Sequence, residues 1–142
     1  MGRSRHHTAW AGALAVAAEL SRRGYDATLT LGNAPALDLL CASPSGKPFK
    51  VQVKSLTRPN SVLIRKSMLE QDPQTDLFFA VVIVPASEAA PMEFRIMTHT
   101  EVVKHWLRMP KKKRDGQPHK LGGGLYWSVV EPYAGGWEKL PK

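Results

Sequence analysis

The run "DLFFAVVIV", residues 76 to 84, constrains the fold more than any other stretch of the chain. It is apolar almost throughout and rich in aromatic and β-branched residues, which predicts a strand inside a sheet with both faces covered. Covering both faces takes chain on each side, and 142 residues suffice for that within one domain, residues 1 to 142. The flanking patterns supply the cover. Trp10, Leu14 and Ala17 recur at helical spacing between Thr8 and Arg23, with Gly24 as a stop, and predict an opening helix packed on that stripe. "YDATLTL", "ALDLLCA" and "PFKVQVKSL" predict three strands. Residues 57 to 75 allow a short strand at Val62 to Ile64 and a helical turn near Met68. "MEFRIMT" predicts a further strand, and Thr98 with Glu101 has the spacing of a capping box that opens a helix over "EVVKHWLR". "LYWSVV" predicts the last strand, before a tail "EPYAGGWEKLPK". The order is α-β-β-β-β-β-α-β around a mixed central sheet, an α/β fold.

Charge narrows the partner. Lys and Arg number 20 against 12 Asp and Glu, a formal net charge of +8, which favours a polyanion through counterion release. Two segments concentrate it: an amino-terminal arm, residues 1 to 7, with Arg3 and Arg5, and a loop, residues 109 to 124, with Lys111, Lys112, Lys113, Arg114 and Lys120. Both are candidate grips on a phosphate backbone, and neither offers sequence readout. The single Cys41 excludes a disulfide framework within the chain and reads as a small buried hydrophobe in a reducing compartment. With no apolar run near the ~18 residues of a membrane span, the expected location is cytoplasmic.

The stretch "ALDLLCASPSGKPFKVQVKS" carries the chemistry. If Pro44, Ser45 and Gly46 form a three-residue hairpin loop, Ser43 pairs with Lys47, and counting outward sets Asp38 opposite Gln52. The period of two places Lys54 on the same face, while Leu39, Val51 and Val53 face a core. A carboxylate beside an amide oxygen can hold a hard divalent cation, and a lysine next to them can orient water and stabilise charge on a phosphate.

Asp38 followed by Gln52-Val53-Lys54, behind a helix ending "AAELSRRGYDA", resembles the PD-(D/E)XK nuclease superfamily in its Q-x-K form, closest to its small intron-endonuclease-like and Holliday-junction-resolvase-like members. The resemblance covers roughly residues 8 to 84. It implies a restriction-endonuclease-like fold, DNA as partner, magnesium or manganese held by Asp38 and Gln52, water assisted by Lys54, and a homodimer. Relatives place proline directly before the aspartate, whereas here Pro35 lies three residues upstream. They also often carry a glutamate after a glycine in the first helix, where this chain reads Gly12-Ala13. Ala13 is expected on the flank of the apolar stripe, where an acid could reach the sheet. Glu19 is the alternative metal ligand, although 100° per residue sets it opposite Trp10, toward water.

The remaining features favour structural roles. His99, His105 and the pair His6-His7 match no zinc spacing. Trp106, Trp127 and Trp137 read as packing before base stacking, and "LGGGL" lacks the lysine and helix of a phosphate-binding loop. The leading expectation is a metal-dependent DNA endonuclease or resolvase-like hydrolase. The alternatives are a catalytically degenerate nuclease fold that binds DNA or a protein, and an interaction module whose charge only keeps it dissolved.

Overall fold

The computed structural model describes residues 2–30, 37–110, 115–116 and 124–142, with the backbone alone at positions 37 and 38. The elements run α1 (Arg5–Arg22), β1 (Asp26–Leu29), β2 (Leu37–Ala42), β3 (Pro48–Leu56), β4 (Val62–Leu63), α2 (Lys66–Leu69), β5 (Leu77–Ile83), β6 (Glu93–Thr98), α3 (His99–Leu107), β7 (Gly124–Leu125) and α4 (Trp127–Val130). Five strands form a mixed sheet in the order β1-β2-β3-β5-β6, parallel only between β3 and β5, and β4 pairs with β7 apart from it.

Every residue of β5 is buried, because α1 packs on one face of the sheet and α2, α3, α4 and the β4–β7 ribbon pack on the other. The expectation from "DLFFAVVIV" therefore holds, and the α/β layering with it. The capping box of α3 is present, with Thr98 Oγ1 accepting from Glu101 N and Glu101 Oε1 accepting from Thr98 N. Burial works to raise the Glu101 carboxyl, but that backbone donor and the Lys139 ammonium, 2.9 Å away, together hold it below the usual carboxylate range. Cys41 lies in the core on the α1 side, where burial pushes its thiol up to about 11, and it is inert as a nucleophile at neutral pH.

Three expectations are corrected. Helix α1 begins at Arg5 with Ser4 as its cap, so Arg5, His6 and His7 form its first turn rather than a free arm. Its buried face is Thr8, Gly12, Ala13, Val16 and Leu20, whereas Leu14 is half exposed. Small residues bring the helix close to the sheet, and that closeness outweighs the apolarity of Leu14. Of the segment "LYWSVV" only Leu125 is in a strand, the end of Gly124–Leu125, because its partner β4 is two residues long; Trp127–Val130 then turns helical.

The tail is bound to the sheet. Gly135 exchanges backbone hydrogen bonds with β6, from Ile96 N to Gly135 O and from Gly135 N to Phe94 O, both 2.9 Å, which covers an otherwise open edge. The buried Arg95 guanidinium lies over the Trp127 ring at 4.6 Å and donates to the Glu131 carbonyl. Among the described residues no helix is long and apolar enough to cross a membrane.

Candidate active site

The hairpin between β2 and β3 closes as its turn chemistry dictates. Ser43 N donates to Lys47 O and Gly46 N to Ser43 O, both at 2.8 Å, and Gly46 sits at φ 89°, a left-handed position that suits glycine. Outward from this turn the register runs Ala42 opposite Pro48, Leu40 opposite Lys50 and Asp38 opposite Gln52. The pairing derived from the loop length is the one observed.

Which face each residue takes follows from its neighbours. Val51 and Val53 join the core beneath α1, and Gly12 of that helix comes against Ser55. Lys50, Gln52 and Lys54 therefore point to the opposite face, and position 38, directly across from Gln52, belongs to it as well. On the other side Gln52 is level with Phe79 and Lys54 with Val81, both members of the second core cluster. Lys54 is half buried.

Gln52 is 5% exposed, and its Oε1 has no hydrogen-bond partner among the described residues. A buried acceptor left unpaired costs about 1–3 kcal/mol, and this oxygen is open to an ion or a water. The donor chemistry fits a hard cation: a neutral oxygen from Gln52 and a carboxylate at the adjacent register position. Among the described residues no three His, Cys, Asp or Glu gather to hold a metal; a magnesium-like ion keeps several waters of its own. A direct consequence is that Gln52→Met should stabilise the protein by about 1–2 kcal/mol, a rise of several degrees in Tm. The same change should erase any rise in Tm that manganese gives the unsubstituted chain. A fall in Tm would show instead that the amide is needed for folding.

The structure does not bring Glu19 to this row. Its carboxylate pairs with Arg22 Nη1 at 2.7 Å and Arg23 Nε at 3.6 Å, on the helix that covers the other face. Ala13 is fully buried in the α1 core rather than on a flank, so position 13 is not a vacant ligand position on the Gln52 face. Arg3 donates to the Val84 and Pro85 carbonyls at 2.8 and 2.6 Å and tethers the amino terminus to the end of β5. Arg5 stands in the exposed first turn of α1. Lys111, Lys112, Lys113, Arg114 and Lys120 lie outside the described residues.

The histidines and tryptophans are placed by packing. His99 is fully buried against Phe79; its Nδ1 accepts from Gln74 N, so Nε2 carries the proton that it gives to Met68 O at 2.8 Å. His105 Nε2 meets the Tyr133 hydroxyl at 2.7 Å. Trp106 is buried with the second cluster, and Trp137 lies between Phe94 and the Arg23 guanidinium.

One residue of the row escaped the sequence reading. Lys50 is exposed on the same face as Gln52, one pleat repeat away, and its period-two relation to Gln52 and Lys54 was visible in "KVQVK". Searches of family models, curated proteins and solved structures return no match to this chain.

Proposed function

We propose that the protein is a metal-dependent DNA endonuclease or resolvase-like hydrolase of phosphodiester bonds, built on a restriction-endonuclease-like fold. The observation that carries this reading is the buried, unpartnered Gln52 Oε1 directly across from Asp38, with Lys54 on the same face. The mixed sheet between helical layers and the net charge of +8 support it. Asp38 and Gln52 would supply the oxygens that hold magnesium or manganese, which offsets phosphate charge and makes its bound water more acidic. Lys54 orients the attacking water and stabilises the charge that grows on the phosphate oxygens.

A second reading rests on one specific observation, the core position of Ala13, which leaves Asp38 as the row's single carboxylate. On that reading the chain keeps the fold and binds DNA, or a protein, without cutting. Cleavage of labelled duplex, branched and single-stranded DNA with magnesium or manganese separates the two. The endonuclease reading expects metal-dependent cutting that drops at least about a hundredfold in Asp38→Ala and in Lys54→Ala. Cutting that survives both substitutions sinks it. Salt-sensitive binding that persists in Asp38→Ala, with no cutting by any variant, selects the second reading.

A further inference from the structure

The face of the sheet that carries Gln52 is covered over only part of its width. Over β5, β6 and the far half of β3 it lies beneath α2, α3, α4 and the β4–β7 ribbon, where Phe79, Val81 and Met97 are buried. Toward β1, β2 and the near half of β3 no described element packs on the same face: Thr28 and Lys50 are exposed and Leu40 is 50% exposed. These three are cross-strand neighbours, since Thr28 pairs with Leu40 and Leu40 with Lys50. Gln52 lies at the step between the two regions, 5% exposed.

We infer that this half of the face, Thr28, Leu40 and Lys50, is the track along which a nucleic-acid backbone reaches the Asp38–Gln52–Lys54 row, with Lys50 holding the phosphate next to the one cut. The inference rests on the endonuclease reading and adds to it the direction of approach and a substrate contact. Three features carry it. Among the described residues the cover lies over the β5 and β6 side, and the β2 side is where exposed residues lead to Gln52. Lys50 and Lys54 flank Gln52 on one strand, each about 6.7 Å away at two residues of rise, a separation comparable to that of successive phosphates. An exposed leucine between a threonine and a lysine gives a sugar or base edge apolar contact beside a hydroxyl and a cation. Lys50 is therefore a substrate-positioning residue, distinct from the groups at the reacting phosphate.

The test is binding of a fluorescein-labelled DNA duplex and its single strand by the full chain at several salt concentrations, with calcium in place of magnesium. Lys50→Ala is compared with Lys104→Ala, which removes the same charge from the exposed side of α3. Lys50→Ala should weaken binding at least tenfold and reduce the slope of log affinity against log salt by about 0.9, the loss of one phosphate contact, while Lys104→Ala leaves both near the original values. Leu40→Ser should weaken binding without changing the slope. In cleavage, Lys50→Ala should raise KM with kcat largely kept, and Lys50→Arg should restore it. If the unsubstituted chain binds and cuts but Lys50→Ala behaves like Lys104→Ala, the track is wrong and the endonuclease reading stands. Absence of binding by the unsubstituted chain overturns both.

Discussion

Ala13→Glu should strongly destabilise the protein rather than complete the proposed site. The side chain at position 13 has no solvent exposure and packs with Val16, Leu20, Leu39, Val51 and Val53 beneath α1. A glutamate there adds a methylene and a carboxyl to a filled core, which costs about 1–3 kcal/mol as overpacking alone. It also places an acid where no partner waits, for several kcal/mol more. The sum, about 4 kcal/mol or above, is a large part of the 5–15 kcal/mol that holds a typical domain together. The defect should depend on pH in a definite sense. A buried, unpaired carboxyl has its folded-state pKa raised, so the variant is least destabilised below the ordinary glutamate pKa and loses stability as pH rises toward the raised value. Urea unfolding at pH 4.5 and pH 7, each against the unsubstituted chain, measures this. A stable Ala13→Glu protein with faster manganese-dependent cutting would instead make α1 the source of a third ligand.

How legible the molecule was in its sequence depended on the range of the interaction that decides each feature. The β2–β3 register was legible because Pro44 and Gly46 fix a three-residue turn, and a turn transmits its geometry outward through the ladder. The buried strand β5 was legible because "DLFFAVVIV" is short, apolar and rich in β-branched and aromatic residues. The face of α1 was not, since an apolar stripe weighs Leu14 heavily and Gly12 not at all, yet closeness of approach is what a glycine provides. The fate of "LYWSVV" was set elsewhere in the chain: its residues favour a strand, but a strand extends only as far as its partner, and β4 ends after Leu63. The row of Asp38, Gln52 and Lys54 could be read from alternation, whereas the depth of Gln52 and the exposure of Lys50 depend on where the far-side layer stops, a long-range property of α2, α3 and β7.

Gly12→Ala should destabilise the fold by about 3 kcal/mol, against the usual sign for a glycine inside a helix, where alanine gains up to about 1 kcal/mol. An added Cβ at position 12 would fall 1.9 Å from Ser55 Oγ and 2.9 Å from Ser55 Cβ. The carbon cannot retreat, because the β3 ladder holds the Ser55 backbone, while Oγ can escape only by turning about the Cα–Cβ bond. The helix must lift instead, and it loses the contacts that Ala13 and Val16 make with the sheet. Ser55→Ala removes the contact at 1.9 Å but leaves Cβ at 2.9 Å and should give partial relief, whereas Ser55→Gly removes both atoms and should recover most of the loss in the double variant. A double-mutant cycle on urea midpoints reads the coupling, and a more stable Gly12→Ala protein would refute the close approach. Ser55 follows Lys54 directly, so a displacement of β3 at this contact also moves the lysine of the proposed site. On the endonuclease reading, residual folded Gly12→Ala protein should therefore cut DNA more slowly per folded molecule, and Ser55→Gly should restore rate and stability together.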